Sequence, residues 1–501
     1  MSNVPSDWEV VIGLEVHVQL HTRAKVFASS PWGFGKEPNE QVDPVVLGLP
    51  GTLPVVNREA VEKSILFGLV VGAEIPERCA WDRKNYFYPD NPKNYQLTQK
   101  DFPVVVGGQV EIELPGASRN VMGEHKFIRI HHAHLEEDVG KLSHAGSGSL
   151  VDYNRAGVPL LEIVTEPDLR SSAEAEAFLR SLIAMLTQAG VADCDMEKGQ
   201  LRCDCNVSIR RRGVEKLGTR TETKNLNSIS SVRDTVIYET ARQIRELEAG
   251  RSITQETRGW NAELARGYVL RDKEDAHDYR YFPDPDIPTL KISRETVTRL
   301  AKQVPENLYD RQRRYVEKLG LPYTAASVLV NDRALAEWFE AAVAAHPANP
   351  SGIANLVAND LLRDLAASAG AAGAFDEAAP APVSLASCPI KPAQLAGLVK
   401  LTDDGVISKQ QAKEVFTEMF KTGQDAAAIV DAKGLRQNSD TGELEKIVQE
   451  VIADPAVAKS IAEYRAGNEK AINALKGPIM KRTQGKANPV LIDQLLRKFL
   501  A

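Results

Sequence analysis

The sequence predicts an α+β chain: an N-terminal cradle built on a mixed or antiparallel β-sheet with flanking helices, then an all-α helical domain and an all-α tail. Three observations carry that prediction. Up to about residue 292, short β-rich runs such as Trp8–Leu20 and Phe127–His134 are separated by irregular lengths, without the strand–helix alternation of a parallel sheet. Two helices in this part are marked at both ends, one over 172–189 closed by Gly190 and one over 230–249 closed by Gly250. After the Pro- and Asp-rich segment Tyr281–Pro288 the pattern is helical throughout.

With 501 residues the chain exceeds what a single core supports, roughly 250–300 residues, so two or three domains are expected. Lys+Arg 61 against Asp+Glu 68 leaves a formal net charge of -7, which argues against a protein that coats nucleic acid with its whole surface but leaves room for a local basic patch. Met1–Glu9 lacks a basic region followed by an apolar one, and no run approaches about 18 apolar residues, so a cytoplasmic chain without a membrane span is expected. Cys79, Cys194, Cys203, Cys205 and Cys388 are odd in number and scattered, as in a reducing compartment.

Taken in order, the first strand carries the first chemistry. In Ile12–Gln19 apolar and polar residues alternate, which puts Glu15 and His17 on one strand face, where a carboxylate and an imidazole can share a divalent cation. More acids follow in His134-Leu-Glu-Glu-Asp138, with Glu136 and Glu137, and Glu162 lies inside the apolar run Val158–Val164, where an ionised carboxylate is costly unless paired or metal-bound. An oxygen-rich set with one imidazole suits magnesium or manganese better than a closed zinc site. The 172–189 helix has serines at its start, Glu174 and Glu176 in its first turn, and an apolar stripe through Phe178, Leu182 and Leu186. Beyond it, Asp195–Ser208 brings Glu197, Arg202 and Asp204 close in sequence, with Arg202 and Asp204 on one strand face; an Arg beside metal-bound acids serves phosphoryl transfer, and an Arg–Asp ion pair is an equal reading. Cys203 and Cys205 occupy the opposite face, as small buried side chains or, with Cys194, as an incomplete zinc set. A P-loop, a G-x-G-x-x-G loop and a nucleophile elbow are all missing. Helical patterns such as Arg294–Gln303 and Ala334–Ala345 follow; the stretch 366–382, rich in Ala, Gly and Pro, reads as a joint or a surface loop, and turns fall at Asp403-Asp-Gly405 and Lys421-Thr-Gly423.

Trp8–Leu20, Asp82–Lys93, His134–Asp138, Glu222–Ser228, Asp278–Pro283 and Met480–Pro489 closely resemble, in order and over essentially the whole chain, the GatB family, the B subunits of the aspartyl/glutamyl-tRNA amidotransferases. The resemblance implies a catalytic, kinase-like cradle over 1–292, a helical domain over 293–405 and a helical, tRNA-binding tail related to YqeY-type proteins over 406–501. It also implies two partners in a heterotrimer, an amidase (glutaminase) subunit that hydrolyses glutamine and a small third subunit, which accounts for the absent glutaminase nucleophile. The implied activity is a ligase reaction: ATP-dependent conversion of misacylated Glu-tRNA(Gln) or Asp-tRNA(Asn) to the amidated forms, with ATP and Mg2+ as cofactors. By matching motifs, Glu15, His17, Glu137 and Glu162 are the expected metal site, and Glu136, Glu197, Arg202 and Asp204 line the nucleotide and acyl-phosphate pocket, Glu137 serving in both. Lys84 and Lys93 are the expected ammonia-channel residues. Cys205 stands where the family pattern has a small residue such as Ala, which leaves the zinc reading open.

In the last 26 residues Lys476, Lys481, Arg482, Lys486, Arg497 and Lys498 face one acid, Asp493, a patch suited to tRNA phosphates. Tyr281–Leu290 runs straight into the helical region, without the inserted domain that the archaeal glutamate-only relatives carry. A tRNA-docking subunit whose chemistry belongs to a partner is the rival reading; acids placed within apolar strands argue against it.

Overall fold

The computed structural model describes residues 4–272, 278–368, 385–436, 441–483, 487 and 489–500, in two compact units, Met1–Arg311 and Gln312–Ala501. The first unit is organised on a nine-stranded sheet. Its main strands are β1 (Trp8–Gln19), β2 (His125–Glu137), β3 (Pro159–Thr165), β4 (Leu201–Arg211), β5 (Thr221–Leu226), β6 (Glu256–Asn261) and β7 (Arg266–Asp272). They lie in the order β7-β6-β5-β4-β1-β3-β2, and the short strands Val105–Val106 and Gln109–Glu113 pair with β2. Pairing is parallel between β5 and β6 and antiparallel along the rest of this order.

Alternation along β1 decides the layering. Trp8, Val10, Ile12, Leu14, Val16 and Val18 are buried on one face, and the same core takes in Leu161 and Ile163 of β3 with Cys203, Cys205 and Val207 of β4. The first helix of this unit, α1 (Arg58–Val70), adds Ile65 and Phe67. Phe178 and Leu182 of α2 (Ser172–Gln188), and Val232 and Val236 of α3 (Ile229–Glu248), join that core. Both of these later helices begin and end as their sequences require: Ser171 and Ser228 accept the Glu174 and Ser231 N–H groups, and Gly190 and Gly250 turn left-handed at the ends, with φ 66° and 76°. One face of the central strands is therefore apolar and covered, and the other is left for polar side chains.

The segments Asp82–Asn85, Tyr95–Thr98 and Phe282–Pro283 form a second, three-stranded sheet that joins two motifs far apart in sequence. The change to helices expected after Tyr281–Pro288 does occur, but the first of them, Arg294–Ala301, still packs on α1 and belongs to the first unit. In the second unit, helix Pro392–Asp403 packs on Arg333–Ala345, Lys409–Thr422 and Ala426–Ala432, with Gly405 and Gly423 at the expected turns, φ 69° and 70°. A separate apolar cluster, including Leu444, Val448, Leu475, Ile479, Ile492 and Leu496, holds the last helices together. No helix among the described residues is long and apolar enough to cross a membrane.

Candidate functional site

The polar face of the central strands gathers chemistry from five of them. Antiparallel register sets Glu15 opposite Asp204, His17 opposite both Arg202 and Glu162, and Glu162 opposite His134. Directly opposed residues lie about 4.5–5.5 Å apart at Cβ, so these side chains meet without any loop to position them.

Two groups of three potential metal ligands result, each with its donor atoms within 4.8 Å of one another: His17, Glu136 and Glu162, and Glu15, Asp204 and Glu222. In the first, Glu162 Oε2 stands 3.3 Å from His17 Nε2 and 3.4 Å from His134 Nε2, and His134 Nε2 lies 3.5 Å from Glu136 Oε2. Burial opposes charge on Glu162, but the imidazoles of His134 and His17 overcome it and hold the carboxyl well below the usual range. Burial likewise disfavours the imidazolium of His134, yet Glu162 and Glu136 raise its pKa to about 10. Glu136 Oε2 and His17 Nδ1 are buried without a hydrogen-bond partner. A buried carboxylate oxygen that makes no hydrogen bond, beside the paired Glu162, fits a divalent cation, and a cation here would take over the neutralising part that protons on the imidazoles otherwise play.

The second group is differently satisfied. Lys224 Nζ donates to Asp204 Oδ2 at 2.7 Å and lies 2.8 Å from Glu222 Oε1. The Asn225 N–H donates to Asp204 Oδ1 at 2.8 Å, Thr257 Oγ1 to Glu222 Oε2 at 3.1 Å, and Asn206 Nδ2 to Glu15 Oε1 at 3.0 Å. Burial raises the Glu15 pKa, and the charges of Glu162 and Glu222 add to it.

A sheet face of this composition, reached from five strands, can be set against known proteins. The GatB/GatE catalytic domain family matches residues 10–298, and the GatB domain family matches residues 337–500. Proteins named as B subunits of aspartyl/glutamyl-tRNA(Asn/Gln) amidotransferases are similar over their full length: that of Opitutus terrae is 51% identical over 497 residues, 99% of both chains, and that of Carboxydothermus hydrogenoformans is 47% identical over 500 residues, 99% of both. The corresponding protein of Persephonella marina is 45% identical over 495 residues, 99% of this chain and 100% of its own. The chain belongs to the GatB family.

As a GatB family member, the chain places its other expected residues unevenly. Glu137 is not part of either group: alternation along β2 turns it to the other face, where Lys93 holds its carboxylate, with Nζ–Oε2 at 2.6 Å, and the Leu97 N–H donates to Oε1 at 2.9 Å. Lys93 is thereby occupied on the far side of β2. Lys84 does lie beside the first group; burial disfavours its charge, but Glu136, Tyr281 and Glu162 raise its pKa, and its Nζ sits 5.0 Å from the Tyr279 ring centroid. Arg202 flanks His17 and donates to Asp138 at 3.0 Å and 3.3 Å, while Glu197 sits in an exposed turn ahead of β4. Cys203 and Cys205 are buried on the apolar face, burial raising both thiols, and neither joins a metal-ligand group among the described residues.

The tail is less one-signed than its local sequence. Lys476 and Arg497 pair with Asp493, Arg482 with Glu450 and Asp454, and Lys498 with Glu445; Lys481 is exposed, and Lys486 lies outside the described residues. All of these acids except Asp493 come from a neighbouring helix and turn, which a reading confined to the last residues misses. His134, Asp138, Glu222 and Lys224 were likewise unassigned, although each lies in a quoted motif; strand parity puts His134 with Glu136 and Lys224 with Glu222.

Proposed function

We propose that the chain is the kinase and tRNA-binding subunit of a cytoplasmic, glutamine-dependent ligase that amidates misacylated Glu-tRNA(Gln) or Asp-tRNA(Asn), working with an amidase (glutaminase) subunit and a small third subunit. The observation that carries this reading is the convergence of His17, Glu136 and Glu162 from three adjacent strands, with Glu136 Oε2 buried 3.5 Å from His134 Nε2 and making no hydrogen bond.

A carboxylate is a poor acceptor for ammonia, since hydroxide or oxide would have to leave. Transfer of the ATP γ-phosphoryl group onto the side-chain carboxylate gives an acyl phosphate, from which ammonia displaces phosphate. Bound Mg2+ supplies the charge that offsets the phosphate oxygens. His17, Glu136 and Glu162 hold that ion; Glu15, Arg202 and Asp204 border the nucleotide; Lys84 stands where the aromatic strip Tyr279–Tyr281 meets the acids, on the proposed path of ammonia. The basic residues of the tail contact tRNA phosphates.

In the assembled complex, Glu162→Gln and His17→Ala are expected to abolish ADP formation with misacylated tRNA while tRNA affinity stays within about twofold, because phosphate contacts in the tail are untouched. ADP formation at the wild-type rate in both variants would overturn the assignment.

A further inference from the structure

Along β2 every second residue from His132 to Glu136 shares a face, so His132, His134 and Glu136 follow one another on the polar side of the sheet. His134 Nε2 faces two carboxylates, Glu162 Oε2 at 3.4 Å and Glu136 Oε2 at 3.5 Å, which makes it the donor nitrogen of its ring. The other nitrogen, His134 Nδ1, lies 3.1 Å from His132 Nε2, and the two rings stack with centroids 5.2 Å apart and planes at 16°. His132 Nδ1 lies 2.7 Å from His131 Nδ1, and His131 is exposed. Three imidazoles thus run in line from the surface to the acids.

The backbone brings the outermost ring into that line. Between β3 and β2 the register runs Val164 to His132 and then Thr165 to Ile130, so β2 carries one extra residue, His131. A bulge of this kind sets two consecutive residues against one on the partner strand and re-aims their side chains. In unbroken alternation His131 and His132 would point to opposite faces; here their rings meet edge to face, with centroids 5.0 Å apart.

An imidazole engaged at one nitrogen can still turn about its second side-chain torsion, which has broad minima, whereas one engaged at both nitrogens keeps a single orientation. Burial lowers the His132 pKa to about 4, and the charges of His134 and His131 add to the effect, so this ring is neutral. A neutral ring has one donor and one acceptor nitrogen, and His132 uses both, one toward His134 and one toward His131. His17 has no such support, since its Nδ1 is buried without a hydrogen-bond partner.

We propose that His132 is a positioning residue for the reaction: braced by His131, it fixes the His134 ring so that Nε2–H stays directed at Glu162 and Glu136, the two carboxylates that hold the metal ion. This rests on the metal reading given under Proposed function. Removing a group that orients metal ligands from outside typically costs about 10–100-fold in metal affinity or activity.

The test measures ADP formation on misacylated tRNA by the assembled complex, and Mn2+ affinity of the full-length chain from the electron paramagnetic resonance signal of free Mn2+. His132→Leu is expected to lower kcat and Mn2+ affinity about tenfold each, with KM for tRNA unchanged. His132→Gln, which keeps a donor and an acceptor, is expected to restore both to within about threefold of wild type, and His131→Ala to lose less than His132→Leu does. Far-ultraviolet circular dichroism identifies which variants fold, with His132→Ala replacing His132→Leu if the latter does not. A folded His132→Leu or His132→Ala chain with wild-type kcat and Mn2+ affinity would overturn the role of His132, as would His132→Gln performing no better than His132→Leu. Wild-type behaviour of His131→Ala would overturn the brace. His17→Ala separates these outcomes from failure of the metal reading, which falls if ADP formation and Mn2+ binding both survive that change.

Discussion

At the scale of single residues, two adjacent glutamates on β2 have opposite work. Glu136 points to the polar face and sets its Oε2 beside the His17 and Glu162 group, 3.5 Å from His134 Nε2; Glu137 points the other way and is the counter-charge of buried Lys93, both side chains being 8% exposed. Glu136→Ala is expected to lower Mn2+ affinity at least tenfold and to cost stability as well, since Glu136 faces His134 and Lys84. Glu137→Ala is expected to leave Mn2+ affinity unchanged and to destabilise the first unit by about 3 kcal/mol, the cost of an unpaired buried ammonium. Mn2+ titration and urea unfolding of both variants check this, and equal loss of metal affinity in the two would refute the division. The sequence motif alone could not separate this pair, because nothing in His134-Leu-Glu-Glu-Asp138 says which parity faces the site; the partner strand does, through Glu162 opposite His134. Glu15 and His17 were legible because a twelve-residue strand has a clean alternation.

At the scale of elements, α3 is fixed to the sheet by charge as well as by its apolar stripe. Glu239 is 1% exposed, accepts from Thr221 Oγ1 at 2.7 Å and from Arg242 Nε at 3.0 Å, and lies 3.5 Å from Arg258 of β6. Burial opposes its ionisation, but the hydrogen bonds and charge of Arg242, with Thr221 and Gln243, lower its pKa below the ordinary carboxylate value. A carboxyl depressed in the folded state adds stability above its unfolded pKa, and that stability is lost as pH falls through the folded value. Glu239→Gln is therefore expected to destabilise by about 2–3 kcal/mol at pH 7, leaving Arg242 and Arg258 with less counter-charge, and by less near pH 4. Urea midpoints at the two pH values measure it; an equal loss at both would mean that packing, not charge, holds the helix. The end of α3 was readable from Gly250, its start was read at 230 rather than at the Ser228 cap, and this buried network ties α3 to β5 through residues 18 and 22 positions apart and leaves no local pattern.

At the scale of the whole molecule, the net charge of -7 is unevenly divided: residues 441–500 carry ten Lys and Arg against seven Asp and Glu, so the rest of the chain stands at -10. Four of the six cations assigned to tRNA, Lys476, Arg482, Arg497 and Lys498, are already paired on the tail's own surface, Asp493 alone holding Lys476 at 2.7 Å and Arg497 at 3.0 Å. A phosphate that recruits these side chains must first part them from a carboxylate, and exposed ion pairs part easily. If the tail binds tRNA as proposed, removing that competitor strengthens binding. Asp493→Asn is expected to raise tRNA affinity about threefold at low salt and to lose the advantage as screening grows toward about 0.5 M, where counterion release contributes little. Lys481→Ala, a change at an exposed cation, is expected to lower affinity and to flatten the salt slope by about one. Filter binding of the assembled complex across a salt series checks both. Affinity unmoved by either substitution would put the phosphate contacts outside the tail and leave its charges as an ordinary solvated surface.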